Sequence, residues 1–204
     1  MDNKTLQPQE SMEIISRMIE TRKSNWNDNG HILRFWGWLI LLASVGHFTL
    51  FELEFYKFFW TTWLLTIPGA IYTMIYYVRL KNKHGKSGFL DKLSGFLWWT
   101  FAVNAFVLGF GFTFTFGHLG TGIILILLGF AAAIEGRIMR FKPMIICGFI
   151  TNLLGFFTLA WMTLYYKEIV STHSFIILLV GLGITFTNLI PGYIIKREFN
   201  RKKQ

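Results

Sequence analysis

The chain has 204 residues, 53% hydrophobic and only 15% charged, with a formal charge of +9 at pH 7. That charge share is well below the quarter or so of an ordinary soluble domain, so such a domain is excluded. One cysteine, Cys147, excludes a disulfide framework and a Cys-based zinc site.

Residues 1–30 are polar and lack a continuous apolar core, so no cleaved signal peptide is expected. Within them, 8–23 reads as an amphipathic helix. Pro8 suits a first helical turn, and Glu10 and Glu13 complement the positive end of the helix dipole. On a 3.6-residue period Met12, Ile14, Ile15, Met18 and Ile19 share one arc, opposite Glu13, Ser16, Arg17 and Glu20. The helix either lies along the membrane surface or on the bundle's inner end, or docks a protein partner, or a second copy, through Met12, Ile15 and Ile19. Its mixed charge argues against a purely basic lipid-binding segment. Residues 24–30 form a turn-rich break.

Six apolar runs follow, at about 32–51, 58–78, 93–114, 119–138, 143–165 and 175–195. Each is near the roughly 20 residues that a helix needs to cross a bilayer core. Backbone polar groups cannot stay unpaired in lipid, and the runs lack the dyad alternation of a β-barrel, so helices are expected. Lys and Arg cluster before the first run, between the second and third, between the fourth and fifth, and after the sixth. Only Lys57 and Lys167 fall on the other side. This bias puts both termini in the cytoplasm. The basic tail at 196–204 is a stop anchor attracted to anionic lipid, not a nucleic-acid arm, and no nucleic-acid partner is expected. Residues 31–195 are thus expected to form one all-α, six-helix transmembrane bundle of three helical hairpins.

Ile67-Pro68-Gly69-Ala70-Ile71, Ile134-Glu135-Gly136-Arg137-Ile138 and Ile190-Pro191-Gly192-Tyr193-Ile194 repeat one pattern, I-P/E-G-x-I. The recurrence suggests a helix pair repeated three times, with the two prolines kinking the second and sixth helices. Each run also carries a stripe of small or polar residues. These are Gly37, Ala43, Ser44 and His47; Thr62, Thr66, Gly69 and Thr73; Thr100, Asn104 and Gly111; Gly129, Ala131, Ala132 and Glu135; Gly148, Asn152 and Gly155; Gly181, Thr185 and Asn188. Small residues let helices approach, and buried Asn or Thr bond between them, so the stripes are expected to face inward in a compact bundle. The alternative is that they line a solute path.

Few residues could carry chemistry. Glu135 is the one carboxylate well inside a run, so it is expected to snorkel to the nearby cytoplasmic interface or to pair with Arg137 or Arg140 close by, the alternative being a proton or cation relay. His47, His118 and His173 all fall on the outer side, once per expected hairpin, each a similar distance before an I-P/E-G-x-I copy. Converging, they would ligate Zn²⁺, Cu²⁺ or Ni²⁺, or one would hold haem; otherwise they are interfacial histidines bonded to loop backbone. No tight His pair, G-x-S-x-G or H-E-x-x-H is present, and Gly85-Lys86-Ser87 lacks the first glycine of a P-loop. No cofactor and no enzyme activity are expected. Trp36, Trp38, Trp98 and Trp99 read as an inner belt, and Trp60, Trp63 and Trp161 as an outer one.

Three features carry a family resemblance. They are the helix from Gln9-Glu10-Ser11 through Ile14-Ile15 to Met18-Ile19; Phe35-Trp36-Gly37-Trp38 followed by Gly46-His47; and Phe141-Lys142-Pro143-Met144-Ile145 with the closing Asn188-Leu189-Ile190-Pro191-Gly192-Tyr193. Over most of its length the chain resembles a family of small six-span bacterial integral membrane proteins, seen mainly in the Bacteroidota and without an assigned activity. The resemblance implies a bacterial cytoplasmic membrane and adds no functional residues. The expected function is a non-enzymatic interaction or regulatory membrane protein. Its competitor is a small transporter or a metal- or haem-binding protein.

Overall fold

The computed structural model describes residues 10, 12, 13, 16, 30–84, 89–108, 119–165 and 169–201. These are helical nearly throughout. In order they form α1 (His31–Glu52), a 3-10 segment (Phe59–Leu65), α2 (Thr66–His84), α3 (Phe89–Phe106), α4 (Leu119–Ile138), α5 (Lys142–Leu164), α6 (Ile169–Ile184), a π-helical turn (Thr185–Leu189) and α7 (Ile190–Arg201). Four stretches are long and apolar enough to cross a membrane: α1, Gly120–Ile138 of α4, α5, and Phe175–Arg201 running through α6, the π turn and α7. Of the expected N-terminal docking face, Met12 is helical and 72% exposed, while Ile15 and Ile19 lie outside the described residues.

Contacts between successive helices run antiparallel. Gly46 meets Thr62 of the 3-10 segment, Ser94 of α3 bonds Glu135 of α4, and Gly122 and Gly136 of α4 face Gly155 and Ile145 of α5. Thr151 of α5 reaches Gly183 of α6. One end of the bundle, here the basal end, therefore collects Gly30, Arg140 and Arg201. The apical end carries the 53–58 turn. Across the bundle α1 lies between the 3-10 segment with α2 and α6 with α7; α5 packs on α6 and the π turn, α4 on α5, and α3 on α4. The flanks α2 and α3 expose Ile67, Ile71, Met74, Phe96, Trp99 and Phe106.

The closest pairing is α4 with α5, which the expected three-hairpin order assigns to different hairpins. Its cause is a heptad of glycines, Gly122, Gly129 and Gly136, set against Gly148 and Gly155. A Cβ on Gly129 would stand 2.6 Å from the Gly148 carbonyl oxygen, and one on Gly148 would stand 2.7 Å from the Ala133 nitrogen. Backbone meets backbone here, as small residues at helix interfaces permit.

Two helix ends close with paired reverse bonds around a left-handed residue. Arg140 (φ 51°) donates to the Arg137 carbonyl at 3.2 Å and Phe141 to that of Gly136 at 2.8 Å. Glu54 (φ 63°) donates to the Phe51 carbonyl at 3.0 Å and Phe55 to that of Leu50 at 2.9 Å. Glycine usually takes this place; a charged residue does so here at both ends.

The repeated pattern has a structural meaning different from a kink. Pro68 falls in the first turn of α2, just after the 3-10 segment, and Pro191 falls just after the π turn. Proline lacks an N–H and crowds the carbonyl four residues back, so the helix changes its hydrogen-bond register around it. Glu135 has neither defect, and α4 runs through the third copy unbroken. What the three copies share is the glycine. A Cβ would meet Leu39 at Gly69, the Ile145 nitrogen at Gly136 and Arg34 at Gly192.

The small-polar stripes of the first, fourth and fifth runs are buried: Gly37, Ala43, Ser44 and His47; Gly129, Ala131, Ala132 and Glu135; Gly148, Asn152 and Gly155. In the sixth, Gly181 and Asn188 are buried and Thr185 is half-buried. The third is a correction. Thr100 and Asn104 are exposed, and the Asn104 amide donates to its own helix at the Thr100 carbonyl (2.8 Å). Helix α3 has its main neighbour on one side only, and the buried polar residue on that side is Ser94.

Candidate functional site

The apical end of the bundle brings two of the three expected histidines together. His47 on α1 and His173 on α6 are each 4% exposed, and their Nε2 atoms are 2.7 Å apart. His118 lies outside the described residues. Gly46, next to His47, lets the 3-10 segment press against α1, since a Cβ there would stand 3.1 Å from Thr62. That approach carries Trp63 inward, and its indole Nε1 donates to His47 Nδ1 at 2.7 Å. Trp63 is therefore not only an interfacial belt residue. Phe51 stacks on the His173 ring with centroids 4.2 Å apart, and Phe59 lies 4.7 Å from the ring of His47 and 5.4 Å from that of His173.

These contacts dictate where the protons sit. Indole has one N–H and accepts no hydrogen bond, so His47 Nδ1 is bare. A neutral imidazole bare at Nδ1 is protonated at Nε2, and that proton points at His173. His173 Nε2 must then accept, which leaves the His173 proton on Nδ1. A single neutral arrangement satisfies both contacts.

This is the reverse of what a metal needs. A ligating histidine offers a bare nitrogen to the metal and donates its other N–H outward. In His47 the bare nitrogen faces an indole donor. Among the described residues no group of three His, Cys, Asp or Glu side chains is placed to hold a metal ion. His47 and His173 are buried and face each other inside the bundle, a position deeper than that of interfacial histidines.

A second polar contact lies toward the basal end. Glu135 is 2% exposed, and Ser94 Oγ, itself buried, donates to its Oε1 at 2.7 Å. Arg137 and Arg140, the partners expected from their closeness in sequence, are exposed. The glutamate turns across to α3 instead, because its helix face is the one that also buries Ala131 and Ala132.

The buried amides differ. Asn152 Oδ1 lies against Gly129 without a hydrogen-bond partner among the described residues, whereas Asn188 Nδ2 donates to Thr187 Oγ1 at 3.2 Å beside the π turn. At the basal end Trp36 donates to Thr73 at 2.9 Å, His31 pairs with the Tyr72 hydroxyl at 2.8 Å, and Trp38 donates to the Tyr193 hydroxyl at 3.1 Å. The inner-belt tryptophans of α1 thus tie it to α2 on one side and α7 on the other.

Compared with known proteins, the chain matches no family model, no curated protein and no solved structure.

Proposed function

We propose that this chain is a non-enzymatic, multi-pass membrane protein of the interaction or regulatory kind, with six spans and both termini in the cytoplasm. The antiparallel helix contacts support the span count. The gathering of Lys and Arg at the basal end supports the orientation, with the apical end outside. The resemblance to small six-span proteins of the Bacteroidota supports a bacterial cytoplasmic membrane.

The observation that carries the reading is the direction of the hydroxyls. Thr49, Thr73, Thr151, Thr158, Thr163, Thr185 and Thr187 each donate to the carbonyl four residues back in the same helix stretch. A path for an ion or polar solute needs such groups turned toward its axis. Here they are turned into the backbone, and the α4–α5 seam is closed by glycine. A sealed body acts through its surface, so the partners are the bilayer and a protein, or a second copy, meeting the Met12, Ile15 and Ile19 face.

Two measurements test this. Purified protein in liposomes should show K⁺, Na⁺ and H⁺ fluxes no greater than empty vesicles; a flux above that level overturns the sealed reading. Charged substitution at Met12, Ile15 and Ile19 together should remove crosslinks to a partner or second copy in the native membrane. Crosslinks that persist would move the interaction surface elsewhere.

A further inference from the structure

We infer that the apical imidazole pair is a proton-binding site whose occupancy releases Trp63, making the 3-10 segment a pH-responsive element. The inference rests on the His47–His173–Trp63 geometry and, for its sidedness alone, on the orientation proposed above.

The contact chain has no vacancy for another proton. On His47 Nδ1 it would confront the indole N–H. On His173 Nε2 it would confront the proton on His47 Nε2. Shifting that proton to His47 Nδ1 relieves the second conflict but restores the first. A cationic pair therefore keeps either the imidazole–imidazole bond or the Trp63 bond, not both.

The surroundings decide which one breaks. His173 is stacked on Phe51 and edged by Phe59. An aromatic face attracts a cation, so this seat suits the imidazolium form. Trp63 sits on a 3-10 segment of 7 residues, longer than the three or four usually tolerated, and none of those residues is fully buried. Elements with few buried contacts open first. The yielding contact is Trp63 to His47.

Among the described residues, no other ionisable group replaces the pair in this role. The 3-10 segment, Phe-Trp-Thr-Thr-Trp-Leu-Leu, has none, and His173 is the only one in the sequence of α6. Glu52 on α1, Glu54, Tyr56 and Lys57 in the apical turn, and Tyr165 after α5 are all exposed. Lys167 and Glu168 lie outside the described residues. The 3-10 segment runs directly into α2, which is tied to α1 at the basal end by Trp36–Thr73 and His31–Tyr72. A proton taken up at the apical end thus has a continuous element through which to act at the basal one.

The test is tryptophan emission and acrylamide quenching of the full chain between about pH 7.5 and about pH 5, the interval in which imidazoles titrate. In detergent micelles the unaltered protein should show a reversible red shift and greater quenching in acid. Trp63→Phe should lose this response. His47→Gln and His173→Gln should lose it too; the first of these keeps an amide acceptor for the indole but cannot titrate. An acid response of equal size in Trp63→Phe, or one retained in both histidine variants, overturns the proposal, as does its absence from the unaltered protein. Should one histidine variant fail to fold, the other and Trp63→Phe still decide. In oriented vesicles acid on the apical side alone should suffice. A response to basal acid only, with the micelle result intact, upholds the switch and overturns the orientation.

Discussion

The α4–α5 seam and the apical corner of α1, the 3-10 segment and α6 both hold helices together in an apolar surrounding, by opposite means. At the seam, glycines at heptad spacing put backbone on backbone, and shape does the work. At the corner, two imidazoles and an indole meet through two hydrogen bonds that require one arrangement of protons. The seam glycines carry no ionisable side chain, while the corner holds two imidazoles. Shape gives permanence, and proton order gives conditional stability, so a bundle containing both can hold its body while one edge responds.

The strongest way to break the seam is Gly129→Leu. Its Cβ would overlap the Gly148 carbonyl, and overpacking of this kind costs about 1–3 kcal/mol or more. The thermal midpoint in detergent should fall equally at neutral and acid pH. Trp63→Phe should come next and behave differently. It leaves the buried Nδ1 of His47 without that donor, a loss of about 1–3 kcal/mol. The sign with pH follows from the neutral pair: the contact stabilises at neutral pH and is lost on acidification. Melting at both pH values should therefore show a large deficit near neutrality and a small one in acid. An equal deficit at both would make the corner a mere packing contact.

Ser94→Ala carries the comparison to the basal end. It removes a donor from a buried carboxylate, at about 1–2 kcal/mol, readable as a lowered denaturation midpoint. The smallest effects have the opposite sign. Gly95 has nothing within 4 Å of where its Cβ would stand, so Gly95→Ala should stabilise α3 by about 0.5–1 kcal/mol. Arg140→Gly should relieve the left-handed turn after α4 by about 1 kcal/mol or less. Alanine stabilising at Gly95 and destabilising at Gly129, in parallel melts, would separate open glycines from seam glycines.

Much of the body is legible from pattern alone. The run at 119–138 is α4 to the residue, and 143–165 and 32–51 match α5 and α1 within a residue. Hydrophobic length marks such helices reliably because lipid leaves the backbone no alternative. The inward stripe of α1 is legible too, since Gly37, Ser44 and His47 keep one helical face. Thr100 and Asn104 mislead because polarity marks an inward face only where a helix has neighbours to face. The glycine heptads are visible as spacing, Gly122, Gly129, Gly136 and Gly148, Gly155, but spacing does not say which glycines will face each other. The meeting of His47 with His173, 126 residues apart, depends on how α1 packs against α6, which no periodicity encodes. Their shared depth is the one hint. Trp63 is hidden by its company, because near a bilayer surface a tryptophan usually points its N–H at headgroups and water. Its place just across the apical turn from His47 is the signal.

The most direct measurement is ¹⁵N NMR of histidine-labelled full-length protein in lipid nanodiscs at neutral pH, with His47 and His173 assigned by the single Gln variants. His47 should be protonated at Nε2 alone and His173 at Nδ1 alone, with scalar coupling between their Nε2 atoms. Free-imidazole tautomer mixtures at both residues, or a proton on His47 Nδ1, would contradict the hydrogen-bond order on which the apical site depends.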